Sequence, residues 1–165
     1  MSYLAKRKQC AKSGRYVTVF RMRCGMMFII NIFLCGLARA AINIRPLPRL
    51  MPYFGYFQKT LIVSTILTNQ QYHRARLIGS SVRLAAKYTA WDSSCLTQAM
   101  VATFWCRRFR IPYVLYIGFA KSTDEPSGYK AHAWVSAGPV AVTGGQGFAD
   151  FHVVSSYAHR DLRNV

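Results

Sequence analysis

One cysteine and one histidine carry the chemistry that this sequence offers. Cys95 follows three good N-cap residues, Asp92 to Ser94, and so is expected in the first turn of a helix. The unpaired amides and the dipole of a helix start stabilise a thiolate, which is the nucleophilic form of cysteine. His132 follows 37 residues later, inside a β-forming run. An imidazole can take the thiol proton and return it to a leaving amine, so the pair predicts acyl-transfer chemistry.

The cysteines give no sign of a disulfide framework or a metal site. They are odd in number and scattered, and no CxxC pair or His/Cys cluster has the spacing of zinc ligands. A reducing cytosol is therefore the expected compartment. No P-loop, GxGxxG run or acidic metal cluster occurs either, so the motifs predict no cofactor. Besides Cys95, the cysteines are Cys10, Cys24, Cys35 and Cys106, and Cys106 is expected to be buried and inert.

The helix that begins near Cys95 has one apolar face and a defined end. Arg107, Arg108 and Arg110 make a basic last turn, where cations suit the negative end of the helix dipole, and Pro112 stops the helix. The amide of Cys95 is unpaired at the helix start and is a natural oxyanion donor. The apolar face recurs at helical spacing and consists of Leu96, Ala99, Met100, Thr103 and Phe104.

Short runs of β-forming residues follow this helix and predict an antiparallel sheet. His132 and Trp134 alternate along one run, so they share one face of the sheet. The chain turns polar from Ser155, which predicts a frayed end. The predicted fold is α+β, with a cysteine-bearing helix packed on the sheet and a helical region before it. The predicted strands are 113–119, 131–135, 140–142 and 151–154.

The first half of the chain predicts helices rather than a second site. Residues 1–24 form either a solvated basic arm or a patch for phosphate or lipid head groups. Residues 25–38 are apolar but shorter than the about 20 residues of a membrane-spanning helix. A buried or interfacial helix, contact with a membrane surface and a signal segment all stay open for them. Residues 53–68 fit helix or strand. Residues 70–90 predict an amphipathic helix whose apolar face is Ala75, Ile78, Val82 and Ala85 or Ala86.

Most of the charge lies in that half. The formal net charge is +17, and no Asp or Glu occurs before Asp92. Such asymmetry is typical of proteins with an anionic partner, whether a membrane, a nucleic acid or an acidic protein or peptide. We expect a cytoplasmic protein, with membrane association left open. We divide the chain into a basic, mostly helical region at 1–90, a catalytic core at 91–157 and a polar tail at 158–165.

Several runs resemble the transglutaminase-like superfamily. They are Cys95-Leu96, the run from Arg107 to Pro112 and the AHAWV run at 131–135. Within that superfamily, the short chain and the VTGGQG run at 142–147 resemble the leader peptidases of lasso-peptide maturation. The likeness is to the split form, which lacks a fused leader-recognition domain. It is good over 91–157 and faint before that.

The resemblance implies a transglutaminase-like or papain-like cysteine-peptidase core, with Cys95 as nucleophile and His132 as general base. It implies removal of the leader from a ribosomally made lasso-peptide precursor. The freed core amine would pass to a partner cyclase that uses ATP to close a macrolactam, and a small recognition protein would bring the leader. The implied partners are thus the precursor peptide, the recognition protein and the cyclase, and nucleic acid is not expected.

The third residue of the superfamily's site departs from the pattern. Members usually carry an Asp on the strand after the HAW run, and this Asp orients the histidine. Gly144 stands near that position here. The alternatives are Asp150, Asp92, Gln146 and a backbone carbonyl. Without an orienting group the enzyme would be slow, or completed by a partner.

Three other functions stay open. A non-catalytic basic module would use residues 1–91 to bind a membrane or nucleic acid, and its binding would fall steeply with salt. A transglutaminase-like acyltransferase would share the Cys95 nucleophile but pass the acyl group to another amine. A degenerate, inactive relative would lack the orienting group. Changing Cys95 or His132 to Ala separates the peptidase from the binding module, because only the peptidase would lose its activity.

Overall fold

The structure is a computed structural model that describes residues 25–58, 65–91, 93–123, 125–126, 128–145 and 150–159. The predicted basic arm, residues 59–64 and most of the polar tail lie outside the described residues. The helices are α1 (Gly25–Ile44), α2 (Leu47–Leu50), α3 (Asn69–Tyr88) and α4 (Cys95–Arg108), with a 3-10 turn at Met51–Tyr53. The strands are β1 (Tyr56–Gln58), β2 (Val114–Lys121), β3 (Tyr129–Ala137), β4 (Val140–Thr143) and β5 (His152–Ala158).

The strands form one antiparallel sheet in the order β1-β5-β2-β3-β4. The predicted α+β arrangement of helices on an antiparallel sheet is confirmed. The frayed end predicted from Ser155 is wrong, because β5 continues to Ala158. β5 pairs with β1 on one side and β2 on the other, and two sets of ladder hydrogen bonds hold this polar stretch in place.

The predicted bounds and buried face of helix α3 are confirmed. Thr68 and Gln71 form a capping box at its start, with each side chain bonded to the other residue's backbone. Its buried residues include Ala75, Ile78, Val82 and Ala85. On its other flank, Arg83 donates a hydrogen bond of 2.8 Å to the carbonyl of Val142 in β4. Helix α3 therefore covers the β4 edge of the sheet, which would otherwise offer unpaired backbone groups.

Helix α4 begins and ends as predicted, but its buried face differs. Phe104 was expected inside and is 49% exposed, whereas Thr97, Val101, Ala102 and Cys106 are buried. The helix packs against both α3 and the sheet, so the buried surface is wider than one apolar stripe. Trp105 stacks on Phe109 at the end of the helix.

Helix α1 is long and only partly packed. Its inward face buries Asn31, Cys35 and Ala38. The side chain of Asn31 is held from two sides: it donates to Ser81 Oγ at 3.0 Å and accepts from Trp105 Nε1 at 2.6 Å. In the part of the chain that the structure describes, α1 is the one helix long and apolar enough to cross a membrane by length and composition. Only 17% of the most apolar stretch of α1 is buried, whereas the core helix of a globular protein is mostly buried.

The two sides of the predicted division at residue 90 share one hydrophobic core. Buried residues of α1, α3 and α4 form a single cluster with Ala133 and Val135 of β3. Trp134, between those two, belongs to a second cluster with Val114 and Tyr116 of β2. Since side chains alternate along a strand, the helices cover one face of the sheet and Trp134 marks the other. The division at residue 90 stays a prediction.

Candidate active site

Cys95 is the first residue of α4, as the N-cap pattern predicts. Ser94 is the N-cap, and its hydroxyl accepts a hydrogen bond from the amide of Thr97. Asp92 lies outside the described residues. The Cys95 side chain is half-buried and packs against the helix-side core. The sulfur thus lies at the positive end of a helix and keeps part of its surface open.

The turn before Cys95 is fixed by three different helices. The hydroxyl oxygen of Thr89, the C-cap residue of α3, lies 2.7 Å from the hydroxyl oxygen of Ser93. Gln98 of α4 donates to the Ser93 carbonyl at 3.0 Å. Ser93 also makes a side-chain hydrogen bond with the Cys35 thiol of α1. These contacts define where α4 starts and therefore where Cys95 lies.

The described cysteines differ in their access to solvent. Cys106 is fully buried, and burial raises the pKa of its thiol to about 12. Burial also raises the pKa of Cys35, an effect that the Ser93 hydrogen bond partly offsets. Among the cysteines that the structure describes, Cys95 is the one that is not buried. The expectation that Cys106 is a buried residue is confirmed, and the assignment of Cys95 as nucleophile stays a prediction.

His132 lies on β3 inside a group of aromatic rings. Its imidazole is 5.7 Å from the Trp134 ring, nearly parallel to it, and 4.9 Å from the Phe151 ring, centroid to centroid. Gly118 is its partner across the ladder to β2, and a Cβ there would come within 3.1 Å of the Trp134 ring. Phe151 was not recognised as part of the site in the sequence, because its approach to His132 depends on β5 pairing with β2.

A backbone carbonyl holds the ring of His132. Nε2 of His132 lies 3.0 Å from the carbonyl oxygen of Gly144, just after β4. A carbonyl can only accept, so Nε2 must carry the hydrogen, and in the neutral ring the free lone pair is on Nδ1. Gly144 has φ +67°, and a Cβ on it would lie 2.7 Å from Trp134 Cβ and 3.0 Å from His132 Nε2. Glycine therefore permits this approach.

Of the other side-chain candidates for the orienting group, Asp150 is the one that lies among the described residues. Gln146, like Asp92, lies outside the described residues. Asp150 is exposed and lines an open cavity of about 480 Å³ with Lys121, Tyr129 and His152. Within the described ranges, no hydrogen bond joins Asp150 to His132. The contact observed is the Gly144 carbonyl, one of the alternatives left open by the sequence.

The relation between Cys95 and His132 is less direct. Helix α4 packs on β3 and β4, the strand that carries His132 and the strand that leads to Gly144. Cys95 packs against the helix-side cluster, whereas His132 shares its face of β3 with Trp134 on the other side of the sheet. Within the described part of the chain, no hydrogen bond joins the two side chains. Their pairing stays a prediction.

Metal binding finds no support in the part of the chain that is described. No group of three or more His, Cys, Asp or Glu side chains lies close enough to hold a metal ion among those residues. The arrangement that is present can do nucleophilic chemistry: a half-buried thiol at a helix start, and an imidazole whose tautomer is fixed by a carbonyl.

Comparison with known protein families gives one match. A family model described as the transglutaminase-like superfamily matches residues 46–156. The match includes Cys95, His132 and Gly144, and it begins at α2, well before the core predicted from residue 91. No curated protein and no solved structure matches the chain.

Proposed function

Because the chain belongs to the transglutaminase-like superfamily, we propose that it is a cysteine peptidase with Cys95 as nucleophile and His132 as general base. The superfamily includes cysteine peptidases and acyltransferases, and its members commonly depend on a cysteine. One observation carries the proposal for this chain: the hydrogen bond between His132 Nε2 and the Gly144 carbonyl. It leaves Nδ1 as the basic nitrogen of the neutral ring, ready to accept a proton.

The proposed reaction uses these two groups and requires them to meet, whereas in the described structure they lie on opposite sides of the sheet. Nδ1 of His132 takes the proton from Cys95 Sγ, and the thiolate attacks the carbonyl carbon of the scissile amide. The unpaired amide of Cys95 at the helix start stabilises the oxyanion that forms. The imidazolium then gives its proton to the leaving amine as the C–N bond breaks. Water, deprotonated by the same nitrogen, hydrolyses the thioester and frees the thiol.

The Gly144 carbonyl supports this cycle less strongly than a carboxylate would. It fixes the tautomer of His132 and accepts a hydrogen bond from Nε2–H throughout the cycle. It carries a partial charge only, so it stabilises the imidazolium less than the Asp of the superfamily pattern. We therefore expect a slow enzyme. Slow turnover suits a maturation step in which each precursor molecule is cut once.

We further propose that the substrate is the leader–core junction of a lasso-peptide precursor. The resemblance of the AHAWV and VTGGQG runs to the split leader peptidases supports this. A small recognition protein would deliver the leader, and an ATP-dependent cyclase would use the freed core amine to close the macrolactam. The basic first half offers a docking surface for such partners.

Mass spectrometry of a precursor peptide incubated with the protein and its recognition partner tests the proposal. We expect a leader-sized mass loss with the native chain and none with Cys95→Ala. Cys106→Ala is the matched control, because it also removes a thiol but keeps Cys95. Added small amines separate hydrolysis from acyl transfer, since an acyltransferase would give amide adducts. Cleavage by folded Cys95→Ala at the native rate would refute the assignment of the nucleophile.

A further inference from the structure

The outward face of α1 is an uninterrupted apolar stripe. Met26, Ile29, Phe33 and Leu37 follow one another at three- or four-residue steps, which places them on one side of the helix. Their side chains are 60%, 69%, 66% and 52% exposed. Single exposed apolar side chains are ordinary on a protein surface, but a continuous stripe marks a contact surface.

Neighbouring residues of α3 widen this stripe. Leu77 and Leu84 are 41% and 49% exposed and line a groove of about 600 Å³ between α1 and α3. The α1 side of the groove is formed by Met26, Met27, Phe28 and Ile30, and Arg74 lies among the α3 lining residues. The groove is nearly all apolar apart from this arginine and two serines. We call α1's stripe together with Leu77 and Leu84 the apolar face.

The charge around the apolar face has one sign. No Asp or Glu occurs anywhere before residue 92, so every formal charge on α1, α2 and α3 is positive. Lysine and arginine beside an apolar surface complement the phosphates of an anionic bilayer. A second copy of the chain would instead bring two like-charged surfaces together. The described cations on these helices are Arg39, Arg49, Arg74, Arg76, Arg83 and Lys87. Of these, Arg74 lines the groove, whereas Arg76 and Arg83 line a cavity on the β4 side of α3.

The opposite face of α1 decides how it can meet a membrane. Asn31 is fully buried and bonded to Ser81 of α3 and Trp105 of α4. Crossing a bilayer would break both bonds and strip Cys35 and Ala38 from the core, leaving the Asn31 amide in hydrocarbon. A helix that lies flat keeps these contacts and still buries its outer stripe.

We propose that the apolar face lies in the plane of an anionic lipid bilayer, with α1 parallel to the surface and its basic neighbours against the head groups. This interaction is independent of the proposed peptidase activity, since the apolar face contains neither Cys95 nor His132. Its function would be to hold the protein at a membrane surface by a reversible, salt-sensitive contact.

Vesicle flotation of the full chain tests the proposal. The probes are vesicles of phosphatidylcholine alone and of phosphatidylcholine mixed with phosphatidylglycerol. We expect binding to the mixed vesicles, weaker binding at high salt, and a loss of about tenfold or more for the double variant Ile29→Glu, Phe33→Glu. Ile66→Glu is the matched control, because Ile66 is 97% exposed and lies outside α1. Both changes are at exposed positions, and circular dichroism checks that the fold is kept.

Four results would overturn the proposal. In the first, the folded native chain floats with neither vesicle. In the second, Ile66→Glu weakens binding as much as the double variant does. Analytical ultracentrifugation could also show a dimer that the double variant dissociates, which would assign the apolar face to a second copy. A wash with alkaline carbonate tests the orientation, because a flat helix is released and a spanning helix stays in the pellet. Retention in the pellet would refute the in-plane arrangement.

Discussion

The carbonyl oxygen of Gly144 lies 3.0 Å from Nε2 of His132 and fixes which ring nitrogen is basic. By the sequence resemblance Gly144 stands near the position of the expected Asp, so a backbone carbonyl contacts the ring where a carboxylate was expected. The positive φ of Gly144 turns the backbone so that its carbonyl reaches the His132 ring. The absence of a side chain on Gly144 leaves room for Trp134. The orienting group of this site belongs to the main chain, so a sequence motif cannot reveal it.

Gly144→Ala is expected to damage both fold and site. The new Cβ would press on Trp134 and on the His132 ring, and the backbone would be strained at φ +67°. We expect a stability loss of about 1–3 kcal/mol in thermal or denaturant unfolding, together with slower precursor cleavage.

Gly128→Ala separates these two causes. Gly128 has φ +72° but open space around it, so its variant has the backbone strain without the collision. Equal effects of the two substitutions on cleavage would show that the contact with His132 has no role.

Among the three cysteines that the structure describes, alkylation of the native protein is expected to modify Cys95 selectively. Cys35 and Cys106 are fully buried, and the pKa of Cys106 is raised to about 12, so neither offers a thiolate near neutral pH. Peptide mass mapping after brief iodoacetamide treatment should find Cys95 modified first of these three. Labelling of Cys106 at the rate of Cys95 would contradict the described packing.

His132→Ala is expected to slow that alkylation of Cys95 by about threefold to tenfold, because the base that takes the thiol proton is lost. His73→Ala is the control, since His73 is exposed on α3 and lies away from the aromatic group around His132. This measurement needs no substrate. An unchanged rate in His132→Ala would mean that the two side chains do not act together.

Local patterns predicted the elements of the site better than the contacts between them. Ser94 and Cys95 begin a helix because capping chemistry is local, and the face of α3 was readable from its period. The exposure of Phe104 and the approach of Phe151 to His132 depend on which elements become neighbours. Strand order brings β5 between β1 and β2 across a long stretch of chain, and no short-range pattern encodes that order.

Stability is expected to fall in alkali through Cys106. Burial raises its pKa from 9.0 to about 12. At neutral pH the Cys106 thiol is protonated in both the folded and the unfolded protein, so the pKa shift has no effect on stability there. As pH rises through 9, the thiol ionises in the unfolded state first. The free energy of unfolding then falls by about 1.4 kcal/mol per pH unit until pH approaches 12. Denaturant unfolding at several pH values measures this slope. Cys106→Ala should reduce this slope between about pH 9 and 10, below the range in which the buried Tyr113, whose pKa is also raised by burial, adds to it. A slope unchanged by this substitution over that range would assign the alkaline loss to other groups.

Arg110→Gly is expected to stabilise the protein. Arg110 has φ +51° and ends α4: its amide bonds to the Arg107 carbonyl, and the amide of Ile111 bonds to the Cys106 carbonyl at 2.8 Å. This is the Schellman arrangement, whose left-handed position suits glycine and strains other residues. The Arg110 carbonyl also accepts from Gln71, a contact that glycine keeps.

We expect a gain of about 0.5–1 kcal/mol for Arg110→Gly, since the relief of left-handed strain exceeds the added freedom of the unfolded chain. Arg108→Gly removes the same charge two residues earlier, inside the helix, and should lose about 1 kcal/mol. Thermal unfolding of the two variants side by side makes the comparison. Opposite signs would establish the left-handed end of α4, and a loss in both variants would show that the Arg110 side chain stabilises the fold by more than its backbone strain costs.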